Sequence, residues 1–395
     1  MTRNASFPTL LPVYRRIDIV FERGHGPWLW DREGRRYLDF ASGIAVTALG
    51  HAHPKLVAAL TAQAEKLWHV SNLFRIAQLE TLADTLVANS FAETVFVCNS
   101  GAEAIEACIK MARRFHWHRG QPERNRIITF EGAFHGRTLA TISAAGSPRL
   151  TEGFAPLLDG FDVVPFGDHE AVRAAVTERT AAIMIEPVQG EGGVRPVPPN
   201  CLRGLRELCD EHDLLLIFDE VQCGMGRTGH LFACEAAGVA PDIMGLAKGL
   251  GGGFPVGACL ATARAASGMT PGSHGSTFGG NPLACAVANA VLEVMLEEGF
   301  LARVRDRGRY LRERLEALRE RYPQRLTEVR GLGLMLGIRP AMDNAAFAAR
   351  LRERGLLTVP AADNVVRVLP PLVVGREEID IACEAIEAAL AEGEA

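Results

Sequence analysis

The chain has 395 residues, of which 48% are hydrophobic and 23% are charged, and its net charge is −5. This composition is typical of a globular protein, and the length is ample for two domains. The acidic balance gives no electrostatic reason to expect a nucleic acid or an anionic membrane as a partner, and no apolar stretch reaches the roughly 18 residues that a membrane helix needs.

Cysteines and histidines show no pattern of a disulfide or metal site. The nine cysteines are scattered and form no C-x-x-C pair, which favours reduced thiols. The close histidine pairs at 51/53 and 116/118 lack helical spacing and nearby acidic or cysteine ligands, so we expect no metal. Residues 1–14 hold no sustained apolar run, so we expect no signal peptide and a cytoplasmic location.

Strands and helices alternate along most of the chain. Residues 28–39 predict a hairpin that turns at Glu33-Gly34. Between about 55 and 270, helices alternate with short apolar strands, which indicates a mostly parallel sheet covered by helices. These strands are predicted at 94–98, 126–130, 161–165, 181–186, 214–219, 242–246 and 255–261.

The C-terminal third predicts a second unit. Residues 281–318 are strongly helical, and the following residues predict strands near 327–338 and 365–369 and helices near 343–354 and 376–391. We therefore expect a large domain at 51–285 and a smaller α+β domain at 286–395 that begins with a bridging helix. The N-terminal segment 1–50 would be part of the smaller domain.

A glycine turn at a predicted helix start offers a site for an anion. Ser100-Gly101 follows the strand 94–98 and opens a helix that runs to about Trp117. Backbone N–H groups at such a helix start bind phosphate well, although an ordinary capped helix explains the same residues. Ser276-Thr277, in a glycine-rich loop, is a second candidate, and a simple turn explains it equally.

Two arginines are candidates for binding carboxylates. Arg137 lies in the segment 130–138, in which an aromatic residue could cover a planar ring while the guanidinium fork holds a carboxylate. Arg367 lies in the alternating segment 364–372, and there the pattern alone favours a charge on an edge strand.

An aspartate and a lysine follow two neighbouring predicted strands. Asp219 ends the apolar run 214–218, and Lys248 follows the next strand within a glycine cluster. Groups at the carboxyl ends of parallel strands meet at one edge of the sheet, and a lysine taken out of water has a lowered pKa and a nucleophilic amine. Each residue alone has a simpler explanation. Asp219 could cap a helix, and Lys248 could extend its amine to solvent. Together they fit pyridoxal phosphate, whose aldehyde a lysine holds and whose ring nitrogen a carboxylate keeps protonated.

Residues 224–229 match G-x-G-x-x-G, the fingerprint of dinucleotide sites. Only a short segment follows this match, and Asp242 comes too soon to be the ribose-binding acid, which is expected about 20 residues on, after a full helix. An NAD-dependent oxidoreductase is therefore the weaker alternative.

Seven segments, in this order, resemble the class III pyridoxal-phosphate-dependent aminotransferases: 50–54, 100–104, 134–138, 186–193, 219–222, 248 and 276–282. The match covers nearly the whole chain. It implies fold type I, an α/β fold with a mostly parallel seven-stranded sheet in the large domain and a smaller α+β domain formed by the N- and C-terminal parts. It also implies a homodimer with shared active sites.

The resemblance implies a role for each matching residue around the cofactor. Lys248 would hold the aldehyde covalently and then move a proton at the substrate, and Asp219 would pair with the ring nitrogen. The other cofactor contacts would be Ser100, Gly101 and Ala102 to the phosphate, Thr277 to the phosphate from the neighbouring subunit, Gln222 to the ring hydroxyl and Phe134 to the ring face.

Substrate contacts follow from the same resemblance. Arg137 would bind the α-carboxylate of the amino donor, with Ser276 nearby. Glu191 would pair with Arg367 while the donor is bound, and would swing away so that Arg367 takes the second carboxylate of 2-oxoglutarate. Ile44 lies where ornithine-specific members carry a tyrosine, and an apolar residue there suits an acylated or uncharged donor tail better than an ammonium group.

The expected reaction transfers the amino group of an acylated diamino acid, N2-acetylornithine first, to 2-oxoglutarate. Succinylornithine, succinyldiaminopimelate, ornithine and GABA stay open as donors. An aminomutase or a decarboxylase stays open as a different reaction of the same cofactor.

Overall fold

Seven strands form one sheet at the centre of the molecule, which we describe from a computed structural model over residues 9–392. In spatial order the strands are Thr94–Cys98, Gly257–Ala261, Ile243–Leu246, Leu215–Asp219, Thr180–Ile185, Arg126–Phe130 and Phe161–Val164. Only Gly257–Ala261 runs against its neighbours, so the predicted mostly parallel seven-stranded sheet is confirmed.

The inner strands of the sheet, such as Leu215–Asp219 and Ile243–Leu246, are buried on both faces because they are apolar at almost every position. Leu216 and Phe218 point into one hydrophobic core cluster, whereas Leu215 and Ile217 point into another on the opposite face. This is the arrangement that a continuous apolar run predicts for a central strand. The helices that accompany the sheet are Pro54–Ala64, Ala77–Ala88, Gly101–His118, Leu139–Ala145, Pro148–Thr151, His169–Ala175, Pro199–Glu211 and Ala263–Ala266.

The helical stretch predicted at 281–318 is two helices, Pro282–Met295 and Phe300–Arg321. Gly299, with φ +77°, adopts the left-handed conformation between them, which a residue with a side chain rarely adopts. The apolar periodicity continues on both sides of this glycine, so the pattern alone does not show the break.

The C-terminal part builds a second sheet from four strands: Leu326–Leu332, Met335–Pro340, Val366–Val368 and Val359–Pro360. The helices Asn344–Glu353 and Arg376–Ala391 belong to the same part of the chain. The predicted strands and helices of this region are therefore present.

The N- and C-terminal parts meet through strand pairing. The strands Phe21–His25, Trp28–Asp31 and Arg36–Asp39 form a sheet with Leu356–Leu357, in which Leu38 lies opposite Leu356. The predicted hairpin turns at Gly34, whose φ is +78°. This pairing supports the proposed smaller domain, although residues 1–8 and 393–395 of its predicted ranges lie outside the described residues.

Residues 9–392 contain neither a helix that could span a membrane nor a cluster of metal ligands. No helix there has the length and apolarity to cross a membrane, and no three histidine, cysteine, aspartate or glutamate residues lie together as a metal site requires.

Two helical glycines give a matched test of the packing. A Cβ on Gly308 would lie 2.6 Å from the carbonyl carbon of Gly333, whereas the nearest atom to a Cβ on Gly204 would lie at 3.5 Å. We expect Gly308→Ala to lower the free energy of unfolding by about 1–3 kcal/mol through overpacking. Gly204→Ala should raise it by about 0.5–1 kcal/mol through helix propensity. Urea unfolding of both variants measures this difference, and a shift of the same sign in both would contradict the packing described for Gly308.

Candidate active site

A cavity of about 380 Å³ opens at the carboxyl ends of the parallel strands. Eight of the residues predicted from the sequence line it: Ser100, Gly101, Ala102, Phe134, Arg137, Asp219, Gln222 and Lys248. They come from four separate segments of the chain, so the sheet topology is what brings them together.

Lys248 lies two residues beyond the strand Ile243–Leu246 and is left-handed, with φ +44°. Such a conformation is strained for a residue with a side chain and is typical of functional positions. Burial lowers the pKa of Lys248, although the charges of Glu191 and Asp219 oppose the shift. A larger fraction of the amine is therefore neutral, which is the form that attacks a carbonyl.

Asp219 is buried and is oriented by two hydrogen bonds. Its Oδ1 accepts from the backbone N–H of Val221 at 3.0 Å, and its Oδ2 lies 2.7 Å from Nδ1 of His135. Burial lowers the pKa of His135, but the hydrogen bond and the charge of Asp219 outweigh it, so this pKa lies above its ordinary value. A carboxylate held in this way fits the protonated ring nitrogen of pyridoxal phosphate.

The turn at Ser100 fits a phosphate group. Ser100 caps the helix Gly101–His118, and its Oγ accepts from the N–H of Glu103 at 3.2 Å. The N–H groups of Gly101 and Ala102 have no partner within a helix that starts here, so they are free to bind an anion. A Cβ on Gly101 would lie 2.7 Å from Val221 Cγ1, so the close packing of this turn requires glycine.

Glu186 ties two loops of the cavity together. Its Oε1 accepts from the N–H of Phe134 at 2.9 Å, and its Oε2 accepts from the N–H of Gly190 at 3.0 Å. Burial and the nearby charge of Asp219 raise the pKa of Glu186 to about 7. The carboxyl group thus holds the loop with Phe134 and Arg137 next to the loop with Glu191.

Glu191 and Arg367 form an ion pair beside the cavity. Arg367 Nη1 lies 2.5 Å from Glu191 Oε1, and the same nitrogen donates to Gln222 Oε1 at 3.3 Å. Arg367 is 1% exposed, whereas the side chain of Glu191 is 33% exposed. The predicted pair is therefore formed in this chain, and its acidic member is the one with room to move.

Ser276 and Thr277 do not line the cavity of this chain. Ser276 Oγ accepts from Asn99 Nδ2 at 3.1 Å and from the N–H of Gly279 at 2.9 Å, which places it beside the phosphate turn. Thr277 is exposed.

Ile44 does not line the cavity either, whereas Val46 does. All four residues of 42–45 are left-handed, with φ between 48° and 64°, a conformation that costs roughly 1–2 kcal/mol per residue with a side chain. Asp39 Oδ1 accepts from the N–H of Ser42 at 2.8 Å, and Ser42 Oγ donates to the carbonyl of Leu369 at 2.7 Å. These contacts hold the strained turn, which leaves Ile44 exposed.

His135, Glu186 and Val46 line the cavity but were not assigned a role from the sequence. Glu186 directly follows the strand Thr180–Ile185, so the rule that selected Asp219 also selects this residue. His135 stands between Phe134 and Gly136, but its bond to Asp219 joins residues 84 positions apart. No local pattern shows such a contact.

The known proteins that this chain resembles, in sequence and in structure, are aminotransferases. A family model for class-III aminotransferases matches residues 12–390. A curated acetylornithine aminotransferase from Agrobacterium fabrum is 58% identical over 97% of this chain and 96% of its own length. The solved N-acetylornithine aminotransferase from Stenotrophomonas maltophilia has a TM-score of 0.84 at 42% identity and covers 96% of this chain and 97% of that chain. The ornithine aminotransferase from Toxoplasma gondii has a TM-score of 0.93 at 33% identity, covering 97% and 92%.

The raised pKa of Glu186 makes stability depend on pH. The folded, cofactor-free protein keeps this proton up to about pH 7, whereas the ordinary pKa is 4.5. Because the folded state binds the proton that the unfolded state releases, the free energy of unfolding falls as pH rises between these values. Glu186→Gln has no carboxyl group to titrate at this position. It should therefore lack the decrease in the free energy of unfolding that Glu186 causes, which is on the order of 3 kcal/mol.

Urea unfolding at about pH 5 and about pH 8 checks this expectation. Glu178→Gln, at an exposed glutamate, is the control and should keep the slope of the unmodified protein. An unchanged slope in Glu186→Gln would show that the carboxyl group is ionised throughout.

Proposed function

Because this chain belongs to the class-III aminotransferases, we propose that it transfers the amino group of N2-acetyl-L-ornithine to 2-oxoglutarate. The products are N-acetyl-L-glutamate 5-semialdehyde and L-glutamate, and the reaction is a step of arginine biosynthesis. The observation that carries this proposal is the Glu191–Arg367 pair beside a cavity that holds Lys248 and Asp219. That arrangement serves two substrates whose tails differ in charge.

Pyridoxal phosphate, the cofactor of this family, supplies an electron sink that stabilises negative charge at the substrate Cα. We propose that Lys248 holds its aldehyde, that Asp219 holds its ring nitrogen, and that the turn at Ser100, Gly101 and Ala102 holds its phosphate. Phe134 would cover the ring and Gln222 would bind the ring hydroxyl. After the substrate displaces it, the Lys248 amine would move a proton at Cα, and its lowered pKa makes the neutral, proton-accepting form available.

The substrate carboxylates are bound by two arginines in this proposal. Arg137 would bind the α-carboxylate of either substrate through its guanidinium fork. While Glu191 neutralises Arg367, the second subsite suits the uncharged acyl tail of the donor. When Glu191 rotates into solvent, buried Arg367 is left without its counter-charge, and the second carboxylate of 2-oxoglutarate or glutamate replaces it.

Donor choice rests on Ile44 in this proposal, which requires the donor tail to extend out of the cavity of one chain to this exposed side chain. The free amino group of ornithine would have to lose water against an apolar side chain, which is costly for an ammonium group, whereas an acetylated nitrogen carries no charge. The overall fold does not decide this point, because solved ornithine and N-acetylornithine aminotransferases both superpose closely on this chain.

We also propose that the active protein is a homodimer and that Thr277 reaches the phosphate of the neighbouring subunit. Large apolar side chains are exposed near this residue, namely Trp68, Leu73, Phe74 and Phe278. Asn72 ties the two segments together, because its amide donates to the carbonyls of Ser276 and Gly279. A patch of this kind is typical of a protein interface. A cytoplasmic location stays a proposal from the sequence.

Single-turnover reaction with different amino donors tests the proposed substrate. Loss of the cofactor absorbance should be fastest with acetylornithine and at least about tenfold slower with free ornithine, because of the cost of desolvating its ammonium group. Succinylornithine, succinyldiaminopimelate and GABA are tested as amino donors in the same way.

Ile44→Tyr is the matched variant, since it places a hydroxyl beside the donor tail. It should narrow the preference for acetylornithine over ornithine. If the unmodified protein reacts fastest with ornithine, the proposed donor and the role of Ile44 are both wrong.

A further inference from the structure

Glu191 lies at the tip of a short hairpin whose backbone is fixed at several points. The strands Val188–Gln189 and Arg195–Pro196 enclose the tip residues 190–194. The N–H groups of Gly193 and Val194 both donate to the carbonyl of Gly190 at 3.2 Å, and the carbonyl of Glu191 accepts from the N–H of Ala362 at 3.0 Å. The tip is therefore held from within and from the C-terminal part of the chain.

The tip rests on a row of three residues in the C-terminal sheet. Arg330 lies opposite Gly337, and Gly337 lies opposite Arg367, so the three side-chain positions share one face of the sheet. We call Arg330, Gly337 and Arg367 the anchor row. Gly337 leaves the middle of this row open.

Each position of the anchor row receives one part of the hairpin tip. Arg330 Nε donates to the carbonyl of Gly193 at 2.7 Å, and Arg367 Nη1 pairs with Glu191 at 2.5 Å. Between them, a Cβ on Gly337 would lie 2.7 Å from Val365 Cγ1 and 3.1 Å from the Cβ of Val194, so Val194 and Val365 together occupy the space that glycine leaves. The tip thus docks along the row.

Arg330 also holds the segment that leads to Arg367. Its Nη2 lies 2.8 Å from Asp363 Oδ2, and Asp363 belongs to the turn between the strands Val359–Pro360 and Val366–Val368. One guanidinium group therefore contacts both the loop that carries Glu191 and the turn that precedes Arg367.

We infer that Arg330 is a positioning residue that sets the choice between mono- and dicarboxylate substrates by anchoring the backbone on which Glu191 rotates. The inference rests on the proposed role of the Glu191–Arg367 pair. With the tip docked on the anchor row, only the side chain of Glu191 moves, and it returns to Arg367 each time the dicarboxylate leaves. Without the anchor, the tip moves as a whole and Glu191 spends less time at Arg367.

The charge of Arg367 would then face the second subsite more often. An unpaired guanidinium attracts the second carboxylate of glutamate and disfavours the uncharged tail of acetylornithine. Loss of the anchor should therefore change the two half-reactions in opposite directions, whereas general damage to the fold would slow both.

Arg330→Gln in the holoenzyme tests this inference, with Arg339→Gln as a matched control. Arg339 also pairs with Asp363, at 3.0 Å, and approaches Glu328 as Arg330 does, but its described hydrogen bonds and ion pairs do not include the hairpin tip. The ratio of kcat/KM for the glutamate half-reaction to that for the acetylornithine half-reaction should rise about fivefold in Arg330→Gln. It should stay within about twofold in Arg339→Gln.

Hydrogen exchange gives a readout independent of turnover. The Gly193 and Val194 amides should exchange about tenfold faster in Arg330→Gln than in Arg339→Gln, because their segment has lost its anchor. Gly337→Ala provides a second variant, since its added Cβ crowds Val365 and Val194 and Arg330 is not among the atoms nearest to it. It should shift the ratio in the same direction. Equal losses in both half-reactions, or equal ratios in Arg330→Gln and Arg339→Gln, would overturn the inference.

Arg367→Gln separates this inference from the proposed function. If that variant fails to slow the glutamate half-reaction selectively, the ion-pair switch itself is wrong. If it is selective while Arg330→Gln is not, the switch stands and the anchor role of Arg330 fails.

Discussion

Charged groups buried at one edge of a parallel sheet must satisfy one another, and the whole site follows from this constraint. Desolvating an isolated charge costs more than folding can supply. Here Asp219 bonds to His135 and Glu191 pairs with Arg367. Glu186 accepts from two backbone N–H groups and responds to burial with a pKa raised to about 7. Lys248 responds to burial with a lowered pKa. The groups that balance each other in the folded chain are those that we propose to bind the cofactor and the substrates.

Much of the fold could be predicted because its strands carry a strong local signal. The run at 214–219 is apolar and ends in an acid, and the strand Leu215–Asp219 is found there. The other six strands lie within a few residues of their predicted bounds for the same reason. The break between Pro282–Met295 and Phe300–Arg321 could not be predicted in this way, because the left-handed Gly299 that precedes the second helix does not interrupt the apolar pattern.

The site was predictable only in part, because a sequence shows residues and not their contacts. Lys248 and Asp219 are found by the rule that strand ends meet at one edge. The bond from His135 to Asp219 and the anchor row of Arg330, Gly337 and Arg367 depend on strand register and on loops that meet from distant parts of the chain. In the sequence Arg367 looks like an edge-strand charge, yet it is almost fully buried.

Lys248 is the residue that we propose to hold the cofactor, and every other role in the site depends on it. The chain has only four lysines, Lys55, Lys66, Lys110 and Lys248, and the first three are exposed. Hydride reduction of the holoenzyme fixes the cofactor to whichever lysine holds it, and peptide mass spectrometry identifies that residue. The added mass should lie on the peptide that contains Lys248. The same mass on Lys55, Lys66 or Lys110, with Lys248 unmodified, would contradict the proposed role of Lys248.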